Sequence, residues 1–232
     1  MQIDINYNPE KTWDIIAKSF DITRKKPWKQ CIDFIEEFSK NDYFADIGCG
    51  NGRHLIPSAN HFKKVIGLDL SKELLKIVNK KILREKIKNT TLLHSNVLNI
   101  PIKSSTIDSI LYIATLHNIK GRNKRIQSLK EINRILKSNG KALVSVWSRE
   151  QEKFRKQFFK KWFTQFGENE FGDINIYWRQ HGLNIPRFYH LYSKREFQRD
   201  INQAGLEILE LKGVKIHSKK HLDNYFAMVK KK

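Results

Sequence analysis

Cysteine, glycine and proline are all scarce in this sequence of 232 residues, and each shortage narrows the class of protein. Only two cysteines occur, Cys31 and Cys49, and their wide separation predicts neither a disulfide framework nor a zinc site. With 11 glycines, 5 prolines and 40% hydrophobic residues, most of the chain is expected to fold. The length suits one core, so we predict a single domain over residues 1–232.

Long hydrophobic runs are absent as well. No stretch of about 18 apolar residues occurs, as a membrane-spanning helix would require. The first residues also lack the charged-then-apolar order of a secretory signal peptide. We therefore expect a soluble protein that works in the cytoplasm, with the nucleus as a second compartment, and that has no membrane partner.

Acidic residues are few: the chain has 24 aspartates and glutamates against 44 lysines and arginines, which gives a formal net charge of +20. The excess is regional. Residues 1–40 carry seven side chains of each sign, whereas residues 121–190 carry fifteen basic and six acidic ones. A field of this sign favours polyanions, so one interpretation is nucleic-acid binding through phosphate contacts. The other is a lysine-rich composition that merely solvates the surface.

Short apolar runs alternate with amphipathic segments along most of the chain. The sequence predicts helices at 13–20, 27–39, 52–60, 71–88, 122–138 and 193–204, and strands at 43–47, 64–69, 90–94, 107–113, 140–146, 207–212 and 224–229. This alternation predicts an α/β fold, a Rossmann-like, doubly wound and mostly parallel seven-stranded sheet with helices on both faces. The N-terminal helices within 10–40 and a basic aromatic insertion at about 149–189, which has no clear period, are expected to form the substrate face.

The strongest local motif is DIGCGNG at residues 46–52, between a predicted strand and a predicted helix. Glycines let the backbone approach a ligand closely, and the first N–H groups of a helix attract a carboxylate or a phosphate. Asp69 ends the next strand, where an acid can accept hydrogen bonds from both ribose hydroxyls. A nicotinamide or flavin dinucleotide also fits such a turn, but its fingerprint is GxGxxG, and the third glycine here comes one residue early.

The pattern DxGxGxG at residues 46–52 resembles the first motif of the class I S-adenosylmethionine-dependent methyltransferases. The resemblance implies S-adenosyl-L-methionine as the cofactor, with Gly48 and Gly50 lining its methionine part. It also implies that Asp46 helps to hold the methionine part and that Asp69 binds the ribose.

The resemblance continues at residues 95–101, SNVLNIP, where this family commonly has an aspartate that binds the adenine amino group. Asn96 stands at that place, and its side-chain carbonyl still accepts a hydrogen bond from the amine. We therefore expect weaker adenine recognition. The cofactor site implied by the resemblance comprises Asp46, Gly48, Gly50, Asn51, Asp69, Leu70, Asn96, Val97 and Ala114.

Segments outside these motifs resemble the eukaryotic tRNA carboxymethyluridine methyltransferases over nearly the whole chain. Residues 13–28, which begin WDIIA and continue FDITRxxPW, resemble the opening of that family. Residues 113–118, IATLHN, stand where the family has an alanine and paired histidines, and residues 187–192, RFYHLY, resemble its signature RYYHLY. Asn118 in place of the second histidine and Phe188 in place of a tyrosine are departures from the pattern.

That family esterifies the carboxylate of 5-carboxymethyluridine at the wobble position of the tRNA anticodon. A carboxylate is already an anion and needs no general base, so the catalyst has to hold it in line with the sulfonium methyl and exclude water. Arginine, histidine and tyrosine can hold the nucleotide, and aromatic rings can stack on a base drawn from the anticodon loop. The catalytic candidates are His117, Arg187, Tyr189, His190 and Arg24, and the stacking candidates are Trp28 and Trp147.

Several of these aromatic and histidine residues also have a structural interpretation. His117 follows an apolar strand and fits a hydrogen-bonded core histidine, but the carboxyl end of a central strand favours a ligand site. Trp28, beside Pro27, fits the anchor of a helix start. Tyr189 and Tyr192 also fit core aromatic residues.

The segment 149–161 holds six basic residues, and its phenylalanines are spaced as on one helical face. One prediction is a tRNA-facing helix with its apolar side on the sheet and its lysines toward phosphate. The other is an ordinary amphipathic cover helix. The phenylalanines are Phe154, Phe158 and Phe159.

Two other functions share the predicted fold. A small-molecule methyltransferase of the ubiquinone-biosynthesis type has the same sheet and glycine motif but does not call for a charge of +20. A non-catalytic RNA-binding scaffold with a methyltransferase fold is the second alternative, and Asn96 is the residue that points to it.

The resemblance also implies a protein partner, because the family usually works with a small zinc-ribbon activator subunit. In the expected strand order the third strand, at 90–94, lies at an open edge, and its residues 91–93 carry no charge to discourage pairing. We expect the activator to extend the sheet there by main-chain hydrogen bonds. The alternative is an edge protected by its flanking lysines, Lys86 and Lys88.

Overall fold

The computed structural model of the protein describes residues 7–154, 156–158 and 170–232. Part of the predicted basic helix, including Phe159, lies outside the described residues. Within the described ranges, no helix is long and apolar enough to cross a membrane.

The helices and strands follow the predicted alternation. The helices are α1 (Pro9–Thr23), α2 (Lys29–Glu36), α3 (Leu55–Ala59), α4 (Lys72–Arg84), α5 (Arg122–Ile135) and α6 (Lys194–Gln203), and Leu116–Asn118 forms a 3₁₀ turn. The strands are β1 (Tyr43–Ile47), β2 (Lys64–Asp69), β3 (Thr90–His94), β4 (Ile107–Ile113), β5 (Leu136–Trp147), β6 (Asp173–Trp178), β7 (Ile185–His190), β8 (Leu206–Val214) and β9 (Asn224–Lys231). Residues 152–154 and 156–158 are also helical.

Seven of these strands form one sheet in the order β3-β2-β1-β4-β5-β9-β8. The strands from β3 to β5 pair in parallel, and β9 runs antiparallel to both of its neighbours. From β1 the chain adds β2 and then β3 on one side, and it then returns to add β4 and β5 on the other side of β1. The topological switch point therefore lies between β1 and β4, and ligands bind such sheets at the carboxyl ends of the strands beside that point. The predicted doubly wound, mostly parallel seven-stranded sheet is therefore confirmed.

Buried side chains cover both faces of the sheet, as the prediction of helices on both faces requires. On one face, Leu129 and Ile132 of α5 and Phe197 of α6 pack on the strands. On the other face, Phe34 of α2 and Val78 of α4 pack with the opposite side chains of the same strands. The central strands are thus buried from both sides, which explains why they read as continuous apolar runs in the sequence.

The main departure from the prediction lies within residues 149–189. Strands β6 and β7 form a separate antiparallel pair there, in a region where the sequence shows no clear period. The sequence does contain a strand signal in β6, because the buried residues Ile174, Ile176 and Trp178 alternate with more exposed ones. Phe154 and Phe158 pack in one cluster with this hairpin, so the apolar side of the basic helix covers the hairpin.

A second departure concerns the junction between α5 and β5. The sequence predicts a helix to residue 138, whereas α5 ends at Ile135 and β5 begins at Leu136. Leu136 pairs with Ile107 of β4, and the register shifts before the regular ladder begins at Lys141. The irregular pairing accommodates residues 137–139, whose polar sequence resembles the end of a helix.

Candidate active site

The glycine turn that follows β1 is held at the carboxyl edge of the sheet by two strands. Gly48 has φ of +76°, and a Cβ built on it would lie 2.1 Å from Thr115 Oγ1, so a side chain does not fit there. The Gly50 N–H donates to Asp69 Oδ2 over 2.7 Å, and the Ser71 N–H donates to Asp69 Oδ1 over 2.9 Å. Asp69 therefore joins the end of β2 to the glycine turn.

Two buried acceptor atoms beside this turn have no hydrogen-bond partner among the described residues, Asp46 Oδ2 and Asn51 Oδ1. Burial, together with the charge of Asp69, raises the pKa of Asp46 to about 7. The Asn51 amide nitrogen donates to Asp21 and to the Arg24 carbonyl, which fixes the end of α1 against the turn. Unpaired buried acceptors beside a positive-φ turn fit a ligand with an ammonium group and hydroxyls, such as S-adenosyl-L-methionine.

A cavity of about 460 Å³ opens at this edge of the sheet, within the usual volume range of small-molecule sites. It brings together most of the residues that the sequence predicts as site residues, although they are far apart in the chain. The lining includes Gly48, Gly50, Asn51, Asp69, Leu70, Asn96, Val97 and Ala114 from the cofactor set, and Arg24, Trp28, His117, Trp147, Arg187 and Tyr189 from the substrate set. Asp46 and His190 are not among the lining residues.

The charged side chains of the cavity are almost all cations. Its lining contains Arg24, Arg53, Lys120, Lys124 and Arg187. Asp69 is the only carboxylate among the described residues that line it. A concave site whose charged side chains are mostly cations attracts anionic ligands.

Arg187 is the most informative of these cations because its side chain is only 6% exposed. Its Nη1 donates to the Tyr189 hydroxyl oxygen over 2.6 Å, while its Nε has no acceptor in the described part of the chain. The guanidinium lies over aromatic rings, 4.9 Å from the ring centroid of Trp178 and 5.6 Å from that of Trp13. A buried cation that has aromatic faces but no carboxylate beside it is prepared for an anionic ligand.

Arg24 and Arg53 are half-buried and also lie over aromatic rings. The Arg24 guanidinium lies 5.4 Å from the Trp178 ring centroid, and that of Arg53 lies 4.4 Å from the Trp28 ring centroid. Burial lowers the pKa of Arg24, and burial lowers the pKa of Arg53 to about 10. Sequence reasoning missed Arg53, although its position directly after the glycine motif was a usable signal.

Three rings form a stack on one wall of the cavity. Tyr189 lies 4.9 Å from Trp147 and 5.2 Å from His117 between ring centroids, with interplanar angles of 29° and 21°. The Trp147 backbone N–H donates to His117 Nδ1 over 3.1 Å, so the neutral ring carries its proton on Nε2. Burial, assisted by the nearby Arg187, lowers the pKa of His117 to about 3. His117 is thus a neutral hydrogen-bond donor and is not set up as a general base.

Helix α1 and the β6–β7 hairpin together cover the cavity. The Trp178 Nε1–H donates to Ser19 Oγ over 2.8 Å, and the Ser19 hydroxyl lies 2.7 Å from His181 Nδ1 at the tip of the hairpin. Trp13 and Phe20 of α1 line the cavity beside this contact. Sequence reasoning missed these aromatic residues because the hairpin that completes their surroundings was not predicted.

His190 lies apart from the cavity although it belongs to the predicted catalytic set. Its ring is fully buried, with Nδ1 2.7 Å from Asp173 Oδ1 and Nε2 3.0 Å from Glu196 Oε1. These carboxylates raise the pKa of His190 against the opposing effect of burial. Successive residues of a strand face opposite sides, so β7 directs Tyr189 to the cavity and His190 away from it.

Comparison with known proteins shows which sequences this chain resembles. Residues 45–144 match the family described as methyltransferase domain. A tRNA (carboxymethyluridine(34)-5-O)-methyltransferase of Schizosaccharomyces pombe is 29% identical over 231 residues, covering 90% of this chain and 93% of that protein. A protein of the same name from Xenopus tropicalis is 33% identical over 159 residues, which cover 68% of this chain and 24% of that protein. The chain thus matches only about a quarter of the length of the frog relative.

Solved structures share the fold at low sequence identity. An S-adenosylmethionine-dependent methyltransferase of Methanosarcina mazei superposes with a TM-score of 0.72 at 16% identity, covering 89% of this chain and 98% of that one. A putative methyltransferase of Haloferax volcanii, solved in complex with the Trm112 methyltransferase activator, superposes with a TM-score of 0.67 at 15% identity, covering 96% of this chain and 97% of that one. The chain has the fold of the class I S-adenosylmethionine-dependent methyltransferases, and its residues 45–144 match a methyltransferase domain. Its cofactor is S-adenosyl-L-methionine.

Proposed function

We propose that this enzyme methylates the carboxylate of 5-carboxymethyluridine at the wobble position of a tRNA anticodon. The observation that carries the proposal is the buried guanidinium of Arg187, which lines the cavity. It donates to the Tyr189 hydroxyl oxygen and has no carboxylate partner among the described residues. Both sequence relatives described above, from Schizosaccharomyces pombe and Xenopus tropicalis, are named for this reaction. The net charge of +20 agrees with a polyanionic substrate.

The cofactor would lie at the glycine turn. Gly48 and Gly50 would give it close access to the backbone, Asp69 would accept from its ribose, and the unpaired oxygen of Asp46, behind the cavity wall, would reach its ammonium group through water. The bound cofactor supplies an electrophilic methyl group on a positively charged sulfur. Asn96 also lines this end of the cavity, where its carbonyl already accepts from the Leu98 N–H over 3.0 Å and retains a second lone pair for adenine.

The acceptor needs orientation more than activation. A carboxylate is ionised at neutral pH, so its attack on the methyl group requires no proton removal, in agreement with the neutral His117. Arg187 would hold one carboxylate oxygen or the uracil, and the Tyr189 hydroxyl, which accepts from Arg187, retains its own proton for donation. With substrate bound, the cover formed by α1 and the hairpin would exclude water and so strengthen these contacts.

The uridine itself needs a surface on which to lie after it leaves the anticodon stack. Among the rings of Trp147, Tyr189 and His117, that of Trp147 is the least buried and is the platform for it, since bases removed from their neighbours bind on aromatic faces. Trp28 is a weaker platform, because Arg53 already covers one of its faces and His54 and Phe226 pack against its ring. The base would therefore stack on the Trp147 side of the cavity.

The decisive experiment is methyl transfer from isotope-labelled cofactor to tRNA that carries 5-carboxymethyluridine, followed by nucleoside mass spectrometry. We expect label in the methyl ester of that nucleoside and none in tRNA with an unmodified wobble uridine. Label on small quinone precursors in place of tRNA would support the small-molecule alternative and refute the proposal. Cofactor binding without label in any acceptor would support the non-catalytic scaffold.

We also propose a partner and a compartment. Strand β3 lies at the edge of the sheet, the structural neighbour from Haloferax is named as a complex with an activator, and a small zinc-ribbon activator would extend the sheet along β3. Leu92 packs into the core, so a charge there would disturb the fold, whereas Thr91 is exposed. Co-expression with the activator should raise activity, and Thr91→Lys should remove that gain while the isolated chain keeps its melting temperature. As a tRNA-modifying enzyme, the protein would work in the cytoplasm or nucleus.

A further inference from the structure

A basic loop joins β8 to β9 at the mouth of the cavity. Its residues 215–221 have the sequence KIHSKKH, and the side chains of Lys215, Lys219 and Lys220 are exposed. His217 of the same loop lines the cavity. The loop therefore connects the substrate site to the protein surface, and nothing in the reaction at the cavity itself uses its lysines.

Two acidic residues hold the backbone of this basic loop. Asp223 accepts hydrogen bonds from three consecutive N–H groups, those of residues 216, 217 and 218, at 2.8, 2.6 and 2.7 Å. Glu152 accepts from the N–H groups of Lys220 and His221. Because these two carboxylates take up the backbone donors, the loop has a defined shape, and its lysine side chains are left exposed. A loop that only solvates the surface would not need this bracing.

Glu152 also joins the basic loop to the helical residues 152–154 and 156–158. Phe154 and Phe158 of that segment pack inward on the hairpin, while Lys153 and Lys156 are exposed. Five lysines thus share one surface, which we call the basic face: Lys153, Lys156, Lys215, Lys219 and Lys220. Across the ranges that the structure describes, no carboxylate lies within 4.0 Å of these ammonium groups, whereas Lys212 and Lys230 of the neighbouring strands pair with glutamates.

We propose that the basic face binds the phosphodiester backbone of the RNA strand whose base occupies the cavity. The proposal rests on the tRNA substrate put forward above and assigns the part of this chain that holds its backbone. Unpaired ammonium groups on a braced surface beside the cavity match a chain of phosphates, each of which attracts a cation and releases its own counter-ions on binding. His217, between the basic face and the cavity, would lie where the strand turns from the surface into the site.

The test compares two triple variants that lose the same charge. The first, Lys215→Ala with Lys219→Ala and Lys220→Ala, removes the loop lysines. The control, Lys40→Ala with Lys63→Ala and Lys103→Ala, removes three exposed lysines that precede β1, β2 and β4 at the opposite edge of the sheet. Binding of an unmodified anticodon stem-loop RNA is measured by fluorescence anisotropy at several salt concentrations.

We expect the loop variant to bind this RNA roughly tenfold more weakly, with a salt slope smaller by about two, and the control to bind like the wild-type protein. An unchanged Kd and slope in the loop variant, or an equal loss in the control, would refute the basic face. Affinity for S-adenosyl-L-methionine is measured on the same variants, and its loss in the loop variant would also refute it, by showing that the loop shapes the cavity. The assay involves no methyl transfer, so failure of the proposed reaction and failure of the basic face are told apart.

Discussion

Arg187 Nη1 donates a hydrogen bond of 2.6 Å to the hydroxyl oxygen of Tyr189, and both side chains face the cavity from strand β7. The two residues are two positions apart, so the alternation of the strand places them on the same side. Tyr189 is buried, which raises the pKa of its hydroxyl and keeps it protonated. The pair therefore offers one cation and one neutral donor to an anionic substrate.

If this pair holds the acceptor carboxylate, Arg187→Gln should lower kcat by about 10² to 10³, comparable to the loss of one transition-state donor. Tyr189→Phe should lower it less, by about tenfold. Steady-state kinetics on modified tRNA measure both losses. Calorimetric affinity for the cofactor should stay at the wild-type value in both variants. An equal loss of cofactor affinity would show that the pair belongs to the cofactor site.

Asp69→Ala should weaken cofactor binding by about 1–3 kcal/mol, because it removes the proposed ribose acceptor and leaves the Gly50 and Ser71 N–H groups without their partner. The matched control is Asp108→Ala, which removes an acid at the opposite edge of the sheet, paired there with Lys137. Isothermal titration with S-adenosyl-L-methionine measures both variants. Unchanged affinity in the Asp69 variant would remove this residue from the site.

The pH dependence of turnover should not report His117. Its pKa is lowered to about 3, so the ring stays neutral from about pH 5 upward and keeps its proton on Nε2. The profile of kcat between about pH 6 and pH 8.5 should therefore have the same shape in the wild-type protein and in His117→Asn, with a lower level in the variant. An inflection near pH 6.5 that disappears in the variant would indicate a general base.

His190 should affect stability in a pH-dependent way. Its pKa is raised in the folded protein, so its contribution is fully present below the unfolded value of about 6.5 and is lost as the pH rises through the folded value. The groups that face it are Asp173, Glu170, Glu196, Arg125 and Tyr192. His190→Gln should lower the free energy of unfolding by about 3–5 kcal/mol at pH 6 and by less at pH 9. Urea denaturation at the two pH values measures the difference, and an equal loss at both would show that the imidazolium is not the stabilising form.

The sequence was sufficient for the seven-stranded sheet and for placing most of the proposed cofactor residues at one edge of it. The strands from β1 to β4 are short apolar runs, and their ends carry Gly48, Asp69 and Ala114, so strand order and local motifs place these residues at one edge. The hairpin β6–β7 was not predicted, because its inward residues belong to a small cluster with the basic helix and its outward residues mix aromatic and charged types. Strand β6 does alternate, but β7 buries four consecutive residues and has no alternation of its own, so the pattern of the pair is incomplete.

By itself, the sequence determined the class of protein, since a glycine motif after a buried strand and an acid at the end of the next one constrain the backbone locally. Only the tertiary structure decided which residues meet. It placed Tyr189 in the cavity and the adjacent His190 between two carboxylates, and it brought Arg53 and Arg24 to the same site from different elements. The physical reason is that burial and charge pairing depend on neighbours distant in the chain, which no local pattern encodes.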